Sequence, residues 1–356
     1  MTDGEIMHER EQQLLLYMAK NNLSQSEVQK VRRLLTEVQC DYVLSQAFIN
    51  GIGNLFLNNL IEYGLDNKYP FLEYFADLYT ASCLRRDIHV KAAKELTQAF
   101  AAYKLDYVLI KGLNLQNKLY STFRFHVRDF SDLDVLIRKN DLNKFEHIVS
   151  EIGYTEGRIE KKTQILTQVS RTEILEGKMF YHQIPDFLKK AEPYYSYANV
   201  IDIDVNFSAF WGGQFKDAIT IDEFFQHKYL ENYNNEFCYW SLEPMYEIIQ
   251  NCFHIYKHLC EPQSQNIFDG IKIINLLDIY NLIQKYREQI NWDEFLLLLH
   301  QRDLDAPFYV VLSIVQQIYK DLNIDFLLDR LNTKKDYGQM QKVLDGEIQK
   351  YLFDHF

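Results

Sequence analysis

An excess of positive charge is the first thing this chain lacks. Its 356 residues carry 38 lysines and arginines against 50 aspartates and glutamates, a formal net charge of -12. Binding along a nucleic-acid backbone needs a basic surface, so that partner class is disfavoured, leaving room only for a local patch such as Arg85-Arg86 or Arg158–Lys162. Glycine and proline are scarce, 13 and 6, which argues against a loop-rich β architecture and for long helices. Cys40, Cys83, Cys238, Cys252 and Cys260 are odd in number and irregularly spaced, and reduced thiols in a cytosolic protein are the simplest reading. The opening MTDGEIMHEREQQ has no apolar core of a signal peptide, and no apolar run reaches membrane-spanning length. The expectation is a cytoplasmic protein with no membrane partner. No phosphate-binding P-loop, GxGxxG, GxSxG or HExxH occurs, which removes the commonest kinase, dehydrogenase, hydrolase and metalloprotease signatures.

A hydrophobic share of 47%, with 15% aromatic, is enough for a packed core. Helical periodicity runs from about Glu9 to Ala102 and includes a capping box, Ser24-Gln25-Ser26-Glu27. The middle changes character. Tyr107–Ile110 and Asp132–Ile137 read as short strands and DLNKFEHIVSEIG as a helix. KMFYHQI at 178–184 and NVIDIDVNF at 199–207 read as a hairpin-like pair, with DFLKKAEPYYSYA between them as a loop. From about Asp222 the pattern is helical to the end. The predicted fold is α+β: a small mixed β-sheet core at 103–215 flanked by helical regions at 1–102 and 216–356.

Chemistry concentrates between Tyr107 and Arg138. Residues i and i+2 of a strand share a face, so Asp132 and Asp134 project together while Leu133, Val135 and Ile137 enter the core. Two parallel carboxylates repel unless a cation lies between them. All-oxygen ligation suits Mg²⁺, which takes one or two carboxylates plus substrate phosphates. Ile201-Asp202-Ile203-Asp204-Val205-Asn206 alternates in the same way and offers a further carboxylate from a second strand, either Asp202 or Asp204. Three such carboxylates are what two-metal nucleotidyl transfer requires. Lys111-Gly112 joins an apolar strand to a helix, where glycine admits close backbone approach, free N–H groups attract phosphate and the lysine can neutralise it. Arg128 is read as a bidentate phosphate grip, whereas Arg124 is read as an ordinary surface charge. Cys252, His254, His258 and Cys260 mimic a zinc set, but at about 100° per helical residue the histidines share one face and the cysteines the other. Tyr194, Tyr195, Tyr197 and Trp211 could stack a base or fill a core, and the sequence does not choose.

The order LIKG, helix, then R-D-F-S-D-L-D-V-L-I resembles the polymerase-β-like nucleotidyltransferase superfamily. More narrowly it resembles a branch of uncharacterised nucleotidyltransferases, in which Lys-Gly replaces Gly-Ser, an arginine precedes Ser-Asp-x-Asp, and a late strand reads apolar-Asp-apolar-His-aromatic. Lys111-Gly112, Arg128, Ser131-Asp132-Leu133-Asp134 and Ile203-Asp204-Val205-Asn206-Phe207 match those places, with Asn206 where the branch has histidine. The resemblance selects Asp204 as the third carboxylate. It implies catalytic and metal-binding roles for Asp132, Asp134 and Asp204, with Lys111, Gly112, Arg128 and Ser131 on the nucleotide. The implied cofactor is a pair of Mg²⁺ ions, with Mn²⁺ as an alternative. The implied reaction moves a nucleoside monophosphate from a triphosphate such as ATP to a hydroxyl, releasing pyrophosphate, with a small molecule or peptide as acceptor. Three alternatives accompany this reading: an inactive nucleotide- or partner-binding protein on the same fold, transfer to tRNA or protein, and phosphotransfer.

Overall fold

The structure is a computed structural model describing residues 8–68, 72–159, 166–167, 169–170, 172, 186–195, 198–208, 215, 218–260, 270–331 and 348–353. Helices α1 (Glu9–Met18), α2 (Gln25–Leu34), α3 (Cys40–Ile49), α4 (Gly53–Glu62) and the 31-residue α5 (Leu72–Ala102) come first. The capping box is formed: the Ser24 hydroxyl accepts from the Glu27 N–H at 3.3 Å and the Glu27 carboxylate accepts from the Ser24 N–H at 2.8 Å. Strand β1 (Tyr107–Ile110) turns into α6 (Gly112–Tyr120), and β2 (Leu133–Ile137) into α7 (Leu142–Glu151). Short strands β3 (Thr155–Glu156), β4 (Arg158–Ile159) and β5 (Leu166–Thr167) lead to β6 (Phe187–Tyr195) and β7 (Ala198–Asn206). Helix α8 (Ile221–Gln226), a hairpin of β8 (Lys228–Tyr233) and β9 (Phe237–Leu242), and helices α9 (Pro244–Cys260), α10 (Ile273–Tyr286), α11 (Trp292–Gln301), α12 (Asp305–Ile318), α13 (Asp325–Leu331) and α14 (Ile348–Phe353) follow.

The central sheet has the order β1-β2-β7-β6-β3. β1 runs antiparallel to β2, β2 parallel to β7, and β7 antiparallel to β6, so the sheet is mixed and the fold α+β. Two readings of the sequence need correction. Asp186–Ala198 is not a loop: most of it is β6, and the partner of β7 is therefore β6, while 178–184 lies outside the described residues. The region after Asp222 is not uniformly helical, because β8 and β9 interrupt it. Their turn, Asn234-Asn235, holds both residues at positive φ, 46° and 62°, as a tight hairpin requires.

Side-chain alternation divides the sheet into two faces. Tyr107, Leu109, Leu133, Val135, Ile137, Ile201, Ile203 and Val205 pack with α5 and α7 in one core. Val108, Ile110 and Leu136 face the other way, into a larger core that joins the N-terminal helices to α9, α10 and α12. Helix α6 is pinned to this second layer by buried polar groups. Lys118 Nζ meets Glu247 Oε2 at 2.6 Å with both side chains inaccessible, and Asn114 donates to the same oxygen at 2.8 Å. Among the described residues no helix is long and apolar enough to cross a membrane.

Candidate active site

The second face of the sheet carries the acids. Parallel pairing places Asp134 directly beside Asp204 in the register, as it places Leu133 beside Ile203. Asp132 lies just ahead of β2, two residues from Asp134, and Asp202 lies two residues before Asp204. Antiparallel pairing of β6 with β7 sets Leu188 opposite Asp202 and Phe187 opposite Ile203, which brings Asp186 level with Asp204. Five aspartates from three segments thus lie within electrostatic reach of one another on this part of the sheet. Burial, and then Asp204, push the Asp132 carboxyl above its ordinary range. Burial raises Asp134 to about 8, with Asp132 and Asp204 adding to the shift. Asp186 and Asp202 are raised too, by burial and then by neighbouring carboxylates. The Asp202 Oδ1 and the Asn206 Nδ2 are buried and meet no hydrogen-bond partner among the described residues.

A positive charge reaches the acids from Lys111, whose Nζ donates to Asp134 Oδ1 at 2.6 Å. Burial opposes its charge, but Asp134, Asp204 and Asp132 outweigh that cost and hold the ammonium above its ordinary pKa. One ammonium shared among several carboxylates leaves it firmly protonated while Asp134 stays raised. Lys111 is also the N-cap of α6 and sits at φ 52°, ψ -137°, a backbone conformation that side chains rarely adopt. Gly112 follows for a packing reason: a Cβ there would lie 3.2 Å from the Phe130 Cβ and 3.4 Å from the Asp132 carbonyl oxygen. The Lys-Gly turn and the Asp132 loop therefore touch.

Arg128 is brought to the same region, but its guanidinium is engaged. Nε and Nη2 donate to Asp278 on α10 at 3.1 and 2.8 Å, and Nη1 donates to the Asp129 carbonyl at 3.0 Å. The Tyr120 hydroxyl donates to the same Asp278 at 2.7 Å. Arg128 thus ties the loop before β2 to α6 and α10, and its charge still reaches Asp132. Ser131 is exposed beside Asp132, and Arg124 is exposed over the Phe125 ring at 5.3 Å.

Two histidines complete the surroundings. His89 of α5 is buried; its Nδ1–H donates to the Arg85 carbonyl at 2.9 Å, and its Nε2 meets no hydrogen-bond partner among the described residues. Burial lowers its pKa while the Asp132 carboxylate pulls the other way. His254 of α9 is partly accessible, and burial followed by the Lys111 charge holds its pKa well down. Its ring meets that of His258 edge-on at 4.7 Å, so these two share a helix face; Cys252 is buried and Cys260 exposed. Trp211 and Tyr197 lie outside the described residues, as do the side-chain surroundings of Tyr194 and Tyr195. Sequence reasoning did not single out Asp186 or His89. The D-F start of β6 was the only local hint of the former, and nothing local marks the latter.

No curated protein and no solved structure matches the chain. A family model does match, over residues 36–320, from just after α2 to the end of α12 and across the whole carboxylate edge. By that match the chain belongs to the family of uncharacterised nucleotidyltransferases.

Proposed function

We propose that the protein transfers a nucleoside monophosphate from a nucleoside triphosphate to an acceptor hydroxyl and releases pyrophosphate. The observation that carries this reading is the register pair Asp134–Asp204, flanked by Asp132, with the Lys111 ammonium on Asp134. Family membership supports the same general activity.

The donor set fits a hard divalent cation, Mg²⁺ or alternatively Mn²⁺. Asp132, Asp134 and Asp204 offer only carboxylate oxygen, and the buried, unpartnered Asp202 Oδ1 is a further oxygen on that strand face. Among the described residues no three acidic, histidine or cysteine side chains converge into a ready-made cage. Mg²⁺ needs none, since it binds through one or two carboxylates and completes its shell with phosphates and water. When bound there, the metal supplies charge that polarises the α-phosphate and steadies the departing pyrophosphate.

The chain's own residues do the rest. Lys111 leaves Asp134 for a phosphate oxygen, and the first N–H groups of α6 face the same anion. Ser131 hydrogen-bonds a phosphate from the exposed rim. Arg128 acts as a positioning residue, because Asp278 already fills its fork. Asp204 accepts the proton of the acceptor hydroxyl, whose oxygen attacks the α-phosphorus. The bond from that phosphorus to the bridging oxygen breaks and pyrophosphate departs.

The test uses each nucleoside triphosphate, labelled at the α-phosphate, with Mg²⁺ and pools of small-molecule and peptide acceptors. Label in the acceptor and free pyrophosphate are expected from the wild type, and neither from Asp132→Asn. Release of nucleoside diphosphate instead would make the enzyme a phosphotransferase, and wild-type transfer by Asp132→Asn would sink the mechanism.

A further inference from the structure

The polar face of α9 continues past the ties that hold α6. The apolar residues of α9, Ile248, Ile249, Cys252, Phe253 and Ile255 among them, enter the larger core, which also takes Leu136 of β2. Leu136 and Asp134 are two residues apart in β2 and share a face, so α9 packs on the side of the sheet that carries the acids. Glu247 of α9 is buried and anchored by Asn114 and Lys118 of α6. At about 100° per residue, His254 and His258 fall within roughly 20° of the Glu247 line, two and three turns further on. Access opens in the same direction. Glu247 and Asn251 are buried, whereas His254 and His258 are partly accessible.

The charge around His254 decides what this face can hold. Two histidines one turn apart, their ring centroids 4.7 Å from each other, have the spacing of a metal-chelating pair. The surroundings oppose that use. Burial, and then the charges of Lys111, Lys257 and Arg128, disfavour positive charge on the His254 ring. The same cations favour an anion beside it. Lys111 is the N-cap of α6, so the ring is also within electrostatic reach of a helix start whose free N–H groups suit phosphate. A neutral imidazole still offers that phosphate one N–H donor.

We propose that His254, supported by His258, binds the β- and γ-phosphates of the nucleoside triphosphate and so the departing pyrophosphate. Lys111 and the first N–H groups of α6 face the same phosphates. The acids take the end of the triphosphate that reacts, and the histidines take the end that leaves. His254 donates a hydrogen bond to the charge that develops on the leaving group and transfers no proton. The name pyrophosphate rests on the nucleotidyl-transfer reading; a polyphosphate site at His254 does not.

Inorganic pyrophosphate with Mg²⁺ is the probe, titrated calorimetrically into the full-length folded chain. His254→Ala should raise its Kd roughly tenfold or more, the loss of one hydrogen bond to a charged group. His254→Gln, which keeps an N–H donor, should stay closer to the wild type, and thermal melting checks that both variants fold. A second measurement needs no variant. Diethyl pyrocarbonate modifies neutral imidazoles, and peptide mapping should show His254 protected by pyrophosphate with Mg²⁺. His147, exposed on α7 behind the sheet, should be modified with or without it. Equal affinity in wild type and His254→Ala, full modification of His254 in the presence of saturating pyrophosphate, or no pyrophosphate binding at all would overturn the site. Glutamine no better than alanine would assign the effect to packing and overturn it as well. His254-dependent pyrophosphate binding in a chain that releases none from any nucleoside triphosphate would instead strike the transfer reading and leave the polyphosphate site standing.

Discussion

Lys111 concentrates the conflict between folding and function into one residue. Its backbone, φ 52° and ψ -137°, is one that glycine adopts freely and other residues only under strain of about 1–3 kcal/mol. The side chain is retained because it brings a cation onto Asp134. Lys111→Gly and Lys111→Ala both remove that cation, but only glycine relieves the backbone. Urea denaturation should therefore show Lys111→Gly more stable than Lys111→Ala by about 1 kcal/mol or more, while both fail to transfer. Equal stabilities would mean that the turn relaxes around alanine. Asp132 poses the same conflict through charge. Its carboxylate is raised by burial and by Asp204, so Asp132→Asn removes repulsion from a crowded edge. That variant should melt higher, by roughly 1–2 °C for each kcal/mol at this size, while losing activity. A lower melting temperature would show that Asp132 contributes to the fold. Lys-Gly, Arg128 and the Asp132–Asp134 pair were legible in the sequence because each lies within one short segment. Asp186 and His89 were not, since only chain pairing and helix packing bring them near the acids, while His254 was legible only as one of two histidines sharing a helix face.

Elements were legible where a local signal was unopposed. The Ser24 box, the 31-residue α5 and the apolar β1 and β2 each carry one consistent pattern. β6 does not: Lys189-Lys190 and Pro193 break its alternation, and its pairing with β7 is irregular between Lys190 and Tyr195. Its strand state comes from β7 beside it rather than from its own residues. The β8–β9 hairpin was missed although Asn234-Asn235, flanked by aromatic runs, is a recognisable turn signal. It was obscured by the helical patterns on both sides. At this scale the α2 cap gives a pH prediction. Burial tends to raise the Glu27 carboxyl, but Lys20 at 2.7 Å and the Ser24 N–H and hydroxyl outweigh it and hold the pKa at about 2, below its ordinary 4.5. A lowered folded-state pKa contributes stability that is complete above 4.5 and fades as pH falls towards 2. Glu27→Gln keeps the neutral part of the cap and loses the charged part. The stability gap between wild type and Glu27→Gln should be widest above about pH 5 and narrow steadily between 4.5 and 2. A gap independent of pH would assign the effect to shape alone.

Across the whole molecule, the acidic edge depends on helices remote in sequence. The core behind Val108, Ile110 and Leu136 joins the first four helices to α9, α10 and α12, and the family match covers most of the same extent. Three ties cross this layer: Arg128 to Asp278, Tyr120 to Asp278, and Lys118 to Glu247. The last is the most demanding, because both charges are inaccessible and each is costly without the other. It also fixes α6, whose first turn presents Lys111 and Gly112 to the carboxylates. Lys118→Met should therefore cost about 3–5 kcal/mol by leaving Glu247 buried and unpaired. Neutralising the partner as well, in Lys118→Met/Glu247→Gln, should recover much of that loss, because the introduced amide oxygen would still accept from Asn114 and no buried charge would remain. If the pair serves to aim α6, the double variant regains stability and still transfers poorly, with the nucleotide KM raised. Recovery of both together would make the pair a feature of the core, with the position of Lys111 set by Gly112 and the Asp132 loop alone.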